Sequence, residues 1–106
     1  MAFRLEYSEQ AAQDLDEILN YISINLNSPI AAKNLYLEVQ KKHVHLRENP
    51  FIYSLYHDEK LRKKGYRTVP VKNYIIFFTI NENDSIVDII RILYAKRDIP
   101  AQFDDN

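Results

Sequence analysis

Gly65–Asp98 reads GYRTVPVKNYIIFFTINENDSIVDIIRILYAKRD. Apolar runs at Tyr66–Val71, Tyr74–Ile80 and Ile86–Tyr94 are separated by the polar breaks Lys72-Asn73 and Asn81–Ser85. β-Branched and aromatic residues dominate all three runs, so they read as strands. The short breaks suit hairpins, and the whole reads as an antiparallel meander. Tyr74–Ile80 is apolar on both faces, as a central strand requires. Pro70 cannot donate a ladder hydrogen bond, which places its strand at an edge or points that residue away from its neighbour. Asp88 and Arg91 interrupt the last run, on opposite faces by simple alternation. A charge inside an apolar strand must be paired or reach a surface. Glu6 or a carboxylate on a partner protein are the candidates to meet Arg91.

Downstream, Ile99-Pro100-Ala101-Gln102-Phe103 reads as a last turn with Phe103 docking back, and Asp104-Asp105-Asn106 as a fraying end. Upstream, Phe51–Lys64 is irregular but too apolar for a floppy linker. It carries Phe51, Tyr53 and Tyr56, then turns basic at Lys60, Arg62, Lys63 and Lys64. It is expected to pack across an edge of the core.

Before it come two helical patterns. Ala11, Ala12, Leu15, Ile18, Leu19, Ile22 and Leu26 mark one face of a helix capped by Ser8. Gln13, Asp14, Asp16, Glu17 and Asn20 fill its outward side. Ser28-Pro29 opens a second helix. Its stripe is Ala32, Leu35, Tyr36, Val39, His43 and Leu46, and it ends before Pro50. The two form a hairpin whose stripes cover one face of the sheet. Phe3–Tyr7 alternates and reads as a short strand.

Composition narrows the chemistry. The 106 residues suffice for one domain, residues 1–106, with a single core. There is one glycine, so phosphate-cradling glycine loops are excluded, and there is no cysteine, which removes thiolate zinc sites and cysteine nucleophiles. His43, His45 and His57 do not form a metal set, because positions 43 and 45 diverge by about 200° on a helix. No cofactor is expected. MAFRLEYSEQ has no signal-type apolar region and no run approaches membrane-spanning length, so a cytoplasmic protein is expected. With 14 Lys+Arg against 15 Asp+Glu, net charge is −1, and nothing global argues for nucleic acid.

The order strand, helix, helix, three-strand meander, with LEYSEQAAQDLDEILNYI (5–22), RENP (47–50), GYRTVPVKNYIIFFTI (65–80) and IIRILYAKRD (89–98), resembles the RelE/ParE superfamily of type II toxin–antitoxin toxins, and its ParE-like members more than its RelE-like ones. The resemblance implies an α+β fold, β-α-α-β-β-β, with a two-helix hairpin on a small, mainly antiparallel sheet. It implies a cognate antitoxin as partner. It also implies one of two targets: DNA gyrase for ParE-like members, or mRNA on the ribosome for RelE-like endoribonucleases.

Cutting RNA through its 2′-hydroxyl needs a proton acceptor, a cation for the phosphate and a proton donor. Where the RelE-like pattern has an arginine early in the second meander strand, this chain has Ile75. Where it has two lysines in the preceding strand, this chain has Arg67 and Val69. Arg97 matches a catalytic-type arginine, while Phe103 falls near a catalytic tyrosine and lacks its hydroxyl. His57, Arg67, Lys72 and Arg97 are therefore the groups left to a ribonuclease, with His57 otherwise an exposed loop histidine. For partner binding the candidates are Leu15, Leu19, Phe51, Tyr53, Tyr56, Arg91 and Arg97. The first helix and the aromatic segment are expected to floor an antitoxin groove.

Overall fold

The computed structural model describes residues 2–103. Strand β1 (Arg4–Tyr7) leads to α1 (Glu9–Asn20) and α2 (Pro29–Glu48). A short helix α3 (Glu59–Lys63) precedes the meander β2 (Arg67–Val71), β3 (Tyr74–Asn81) and β4 (Ile86–Tyr94), and α4 (Ile99–Gln102) closes the chain. The sheet order is β1-β4-β3-β2, with β1 parallel to β4 and the other pairs antiparallel. This is the mixed α+β architecture expected from the sequence.

Local chemistry sets the element ends. The Ser8 side chain accepts the Ala11 N–H at 2.9 Å and starts α1. The chain leaves α1 through a wide π turn at Tyr21–Asn25 and restarts at Pro29. Lys72 takes a φ of +54° in the two-residue turn that joins β2 to β3. The Asn81 side chain accepts the Asp84 N–H at 3.2 Å in the next turn.

Both faces of the sheet are covered. On one, Ala11, Leu35, Val39 and Leu46 from the helical hairpin pack on Val69, Val71, Ile76, Phe78, Val87, Ile89 and Ile92. On the other, Leu61 of α3 and Ile99 of α4 pack with Phe77 and Leu93, flanked by Tyr56, Tyr66, Ile75 and Phe103. Phe103 docks edge-on to Phe77 and against Tyr66, the return predicted for the last turn. Residues 104–106 lie outside the described residues.

Three expectations change. Phe51–Lys64 is more ordered than its sequence suggests. A 3₁₀ turn covers Pro50–Ile52, and Asp58 caps α3 by accepting the Leu61 N–H at 3.1 Å. Its middle does run along the sheet edge, where Leu55 bridges Arg67. Second, Asp88 and Arg91 share a face. Thr79 pairs with Asp88 and Phe77 with Arg91, and the register shift between Phe77 and Phe78 inserts Ile90 as a bulge that reverses the alternation. Third, Asp14 does not face outward. It is 7% exposed, between α1 and β4.

His43 sits at the inner boundary of α2, buried, with its Nε2 2.5 Å from the Tyr7 hydroxyl. Burial, then the Arg47 charge, lowers the imidazole pKa from its ordinary 6.5. The unfolded chain therefore takes up this proton more readily. Stability is fully present above about pH 6.5 and falls as pH drops toward the folded value. Urea unfolding at pH 7.5 and pH 5.5 should show a lower midpoint at the acidic pH, and His43→Gln should reduce that difference. At the alkaline end, burial, then Tyr36, pushes the Tyr7 phenol from 10.0 up to about 12, so its contribution is lost as pH rises through that window.

Candidate functional site

Strand β1 covers β4 only as far as Ile89. Beyond it the β4 edge has no strand, and α1 supplies the missing partners. The Ser8 N–H donates to the Ile89 carbonyl and its hydroxyl to the Ile90 carbonyl, each at 2.9 Å. Asp14 Oδ2 accepts the Ile92 N–H at 3.0 Å. The same carboxylate receives Arg91 Nε at 2.7 Å and Nη2 at 3.0 Å, a bidentate pair. Arg91 Nη1 then reaches the Gln102 carbonyl at 3.1 Å. One arginine thus ties α1, β4 and α4 together. Its carboxylate comes from within the chain and is not Glu6, which pairs with Arg4 at the surface.

Past this clamp the end of the sheet opens into a groove of about 800 Å³. Ile18, Ile22, Leu35, Tyr74 and Ile92 make its apolar surface. Tyr21 and Tyr94 stand exposed at its mouth, and the Tyr74 and Tyr94 rings meet edge-on at 5.7 Å. Lys72, Arg97 and Glu17 supply its exposed charges. The chain end returns to this mouth because the Ala95 N–H donates to the Asn73 carbonyl at 2.8 Å. Burial, then Tyr94 and Tyr21, raises the Tyr74 phenol above its ordinary pKa, so it remains a neutral donor at physiological pH. Of the groove's carboxylates, Asp14 is engaged by Arg91. No histidine lines it. An apolar floor with a cationic, phenolic rim is suited to holding a partner.

The sequence-derived ribonuclease candidates are not gathered. Lys72 and Arg97 share the groove. Arg67 stands at the far end of β2, on the order of 15 Å from Lys72 at about 3.3 Å per strand residue. There its Nη1 donates to the Tyr53 carbonyl at 2.6 Å, and its guanidinium lies 5.6 Å from the Phe51 ring centre. His57 is exposed beside Tyr56, whose ring packs on Phe77 on the face away from the helical hairpin. Among the described residues no three His, Asp or Glu side chains converge as metal ligands.

Helix α1 lines this groove through Asp14, Glu17 and Ile18, while five of the residues named for partner binding lie elsewhere. Leu15 and Leu19 are half-buried against the helix-side core, Phe51 is exposed, and Tyr53 packs edge-on to Phe78. None of these lines the large groove, and neither does Tyr56. Sequence reading missed Asp14 as the organising residue.

Against known proteins, the family model described as "ParE toxin of type II toxin-antitoxin system, parDE" matches residues 5–99. Among curated protein sequences none matches. The chromosomal ParDE toxin–antitoxin system from P. aeruginosa is similar in structure, with a TM-score of 0.71 at 20% identity over 90% of this chain and 98% of that one. A mutant of the E. coli toxin RelE in the free state gives 0.64 at 16% identity, over 96% of this chain and 93% of that one. The archaeal RelE–RelB complex from Pyrococcus horikoshii OT3 gives 0.58 at 15%, over 92% and 99%. At such identities the structural likeness is one of fold.

Proposed function

This chain belongs to the ParE toxins of type II toxin–antitoxin systems, and from that premise we propose that it arrests growth by binding DNA gyrase, breaks no bond itself, and is held silent by a cognate antitoxin. It acts in the cytoplasm as one domain; no helix among the described residues is long and apolar enough to cross a membrane. The observation that supports a binder is the scatter of the would-be ribonuclease groups. Arg67 is tied to Tyr53 and Phe51, His57 stands off the groove, and Ile75 is packed beside the second core. Lys72 and Arg97 then remain at the groove without a neighbouring histidine to move a proton.

The test uses the purified chain. Added to gyrase, it should inhibit supercoiling and trap cleaved DNA. Added to a translating extract, it should generate no new mRNA 5′ ends. Unaffected gyrase together with new 5′ ends would overturn the proposal in favour of a ribonuclease using His57, Arg67, Lys72 and Arg97. Induction without any growth defect would overturn it in favour of a chain that only binds antitoxin.

A further inference from the structure

Past the Asp14 clamp, two backbone groups on the outer edge of β4 are left over. The Ile92 N–H goes to Asp14 and the Ala95 N–H to Asn73. Antiparallel ladders alternate, so residues 92 and 94 turn their backbone groups away from β3. The Tyr94 carbonyl accepts the Arg97 N–H at 3.1 Å. The Ile92 carbonyl and the Tyr94 N–H remain, and among the described residues no hydrogen bond reaches either. Ile92 is only 2% exposed, and a buried backbone group nearly always has a partner.

Both residues line the large groove. They present to it a carbonyl followed, two residues on, by an N–H that points the same way. An acceptor beside a donor is the complement of a nucleobase pairing edge, which carries a donor beside an acceptor. The groove also supplies a nucleotide's other contacts. Ile18, Ile22 and the Tyr74 ring offer apolar surface to a planar base. Lys72 and Arg97 stand exposed at the rim, and among the described residues neither is held in an ion pair. Of the carboxylates, Asp14 is neutralised by Arg91 and Glu17 is bonded to Gln13 at 3.1 Å. A volume of about 800 Å³ is that of a small-molecule site.

We propose that this groove binds a free nucleoside monophosphate. The Ile92 carbonyl and the Tyr94 N–H read its base, and Lys72 and Arg97 hold its phosphate. Two cations match one dianionic phosphate. A nucleic-acid strand needs a row of them, and a chain of net charge −1 has no general attraction for one. The site stands whether or not gyrase is the target, since it uses only groups of this groove.

The probes are AMP, adenosine and inorganic phosphate, each titrated calorimetrically onto the intact chain. AMP should bind one to one, with adenosine and phosphate each about 10-fold weaker or more. Lys72→Asn/Arg97→Gln should weaken AMP about 10-fold and leave adenosine unchanged. Asparagine is chosen because it tolerates the φ of +54° at position 72. Tyr94→Ala keeps the backbone N–H, and Tyr94→Pro removes it at a position outside the ladder. Only the proline variant should lose adenosine. In the parent, the Tyr94 amide should be among those that adenosine shifts most in NMR spectra, a readout that depends on no variant's folding. No AMP binding at millimolar concentration would overturn the proposal. So would binding that leaves the Tyr94 amide unmoved. A single-stranded oligonucleotide that binds more tightly than AMP, with a steep salt dependence, would overturn it in favour of a strand path.

Discussion

Arg91→Met should lower the free energy of unfolding by about 3–5 kcal/mol, because it leaves a buried carboxylate without its cation. The parent places Asp14 within 3.0 Å of two guanidinium nitrogens, in a position only 7% exposed. Methionine fills much of the arginine's volume, so the loss reflects stranded charge more than a cavity. A domain of this size has about 5–15 kcal/mol in total, so the variant should be marginal at 37 °C. The companion variant decides the cause. Asp14→Asn/Arg91→Met removes the charge, while the amide oxygen can still accept the Ile92 N–H. It should be more stable than Arg91→Met alone, a recovery that only coupled sites give. Urea unfolding of the two single variants and the double checks both statements. An Arg91→Met midpoint equal to the parent's would show that the pair contributes nothing.

Phe77→Ala should cost a further large amount, about 3–5 kcal/mol, on the opposite face. Phe77 is fully buried and touches the rings of both Tyr56 and Phe103. Its removal empties the centre of the core that α3 and α4 share with the sheet. The effect has a local signature. Amides in Ile99–Phe103 should lose hydrogen-exchange protection more than those of α2, which packs on the other side. Uniform loss across the chain would mean the two faces unfold together with no local opening.

The fold was legible because apolar periodicity is strong where it matters. The α1 stripe, the Ser8 cap, the Pro29 restart and the doubly apolar Tyr74–Ile80 each had one consistent reading. The organising residue was not. Asp14 is polar, so it was assigned to the outer side of α1. Yet it falls three residues after Ala11 and four before Ile18, within the buried stripe. A lone carboxylate in one apolar pattern and a lone arginine in another was the available signal for a pair. The side of Arg91 was misread because a bulge at Ile90 reverses parity without leaving a mark on composition. Helix α3 was hidden by the basic run, although Asp58 followed by Glu59 is a helix-start signal. As for the groove, both of its cations were visible in sequence. The distance of Lys72 from Arg67 follows from the length of β2 alone, whereas the end of the sheet that Arg97 joins is fixed only by the register of β4 on β3.

The pairing of β1 with β4 also governs when this molecule comes into being. Residues 4–7 find their partners at 86–89, so the first strand made must wait for the last. At about 5–20 residues per second, synthesis of the intervening segment takes several seconds. Through that interval the helical hairpin has no complete surface to pack on. The sheet, the Asp14–Arg91 clamp and the groove all mature together, after β4 has emerged. A chain that has not yet reached β4 therefore holds neither the Asp14–Arg91 clamp nor the groove beyond it.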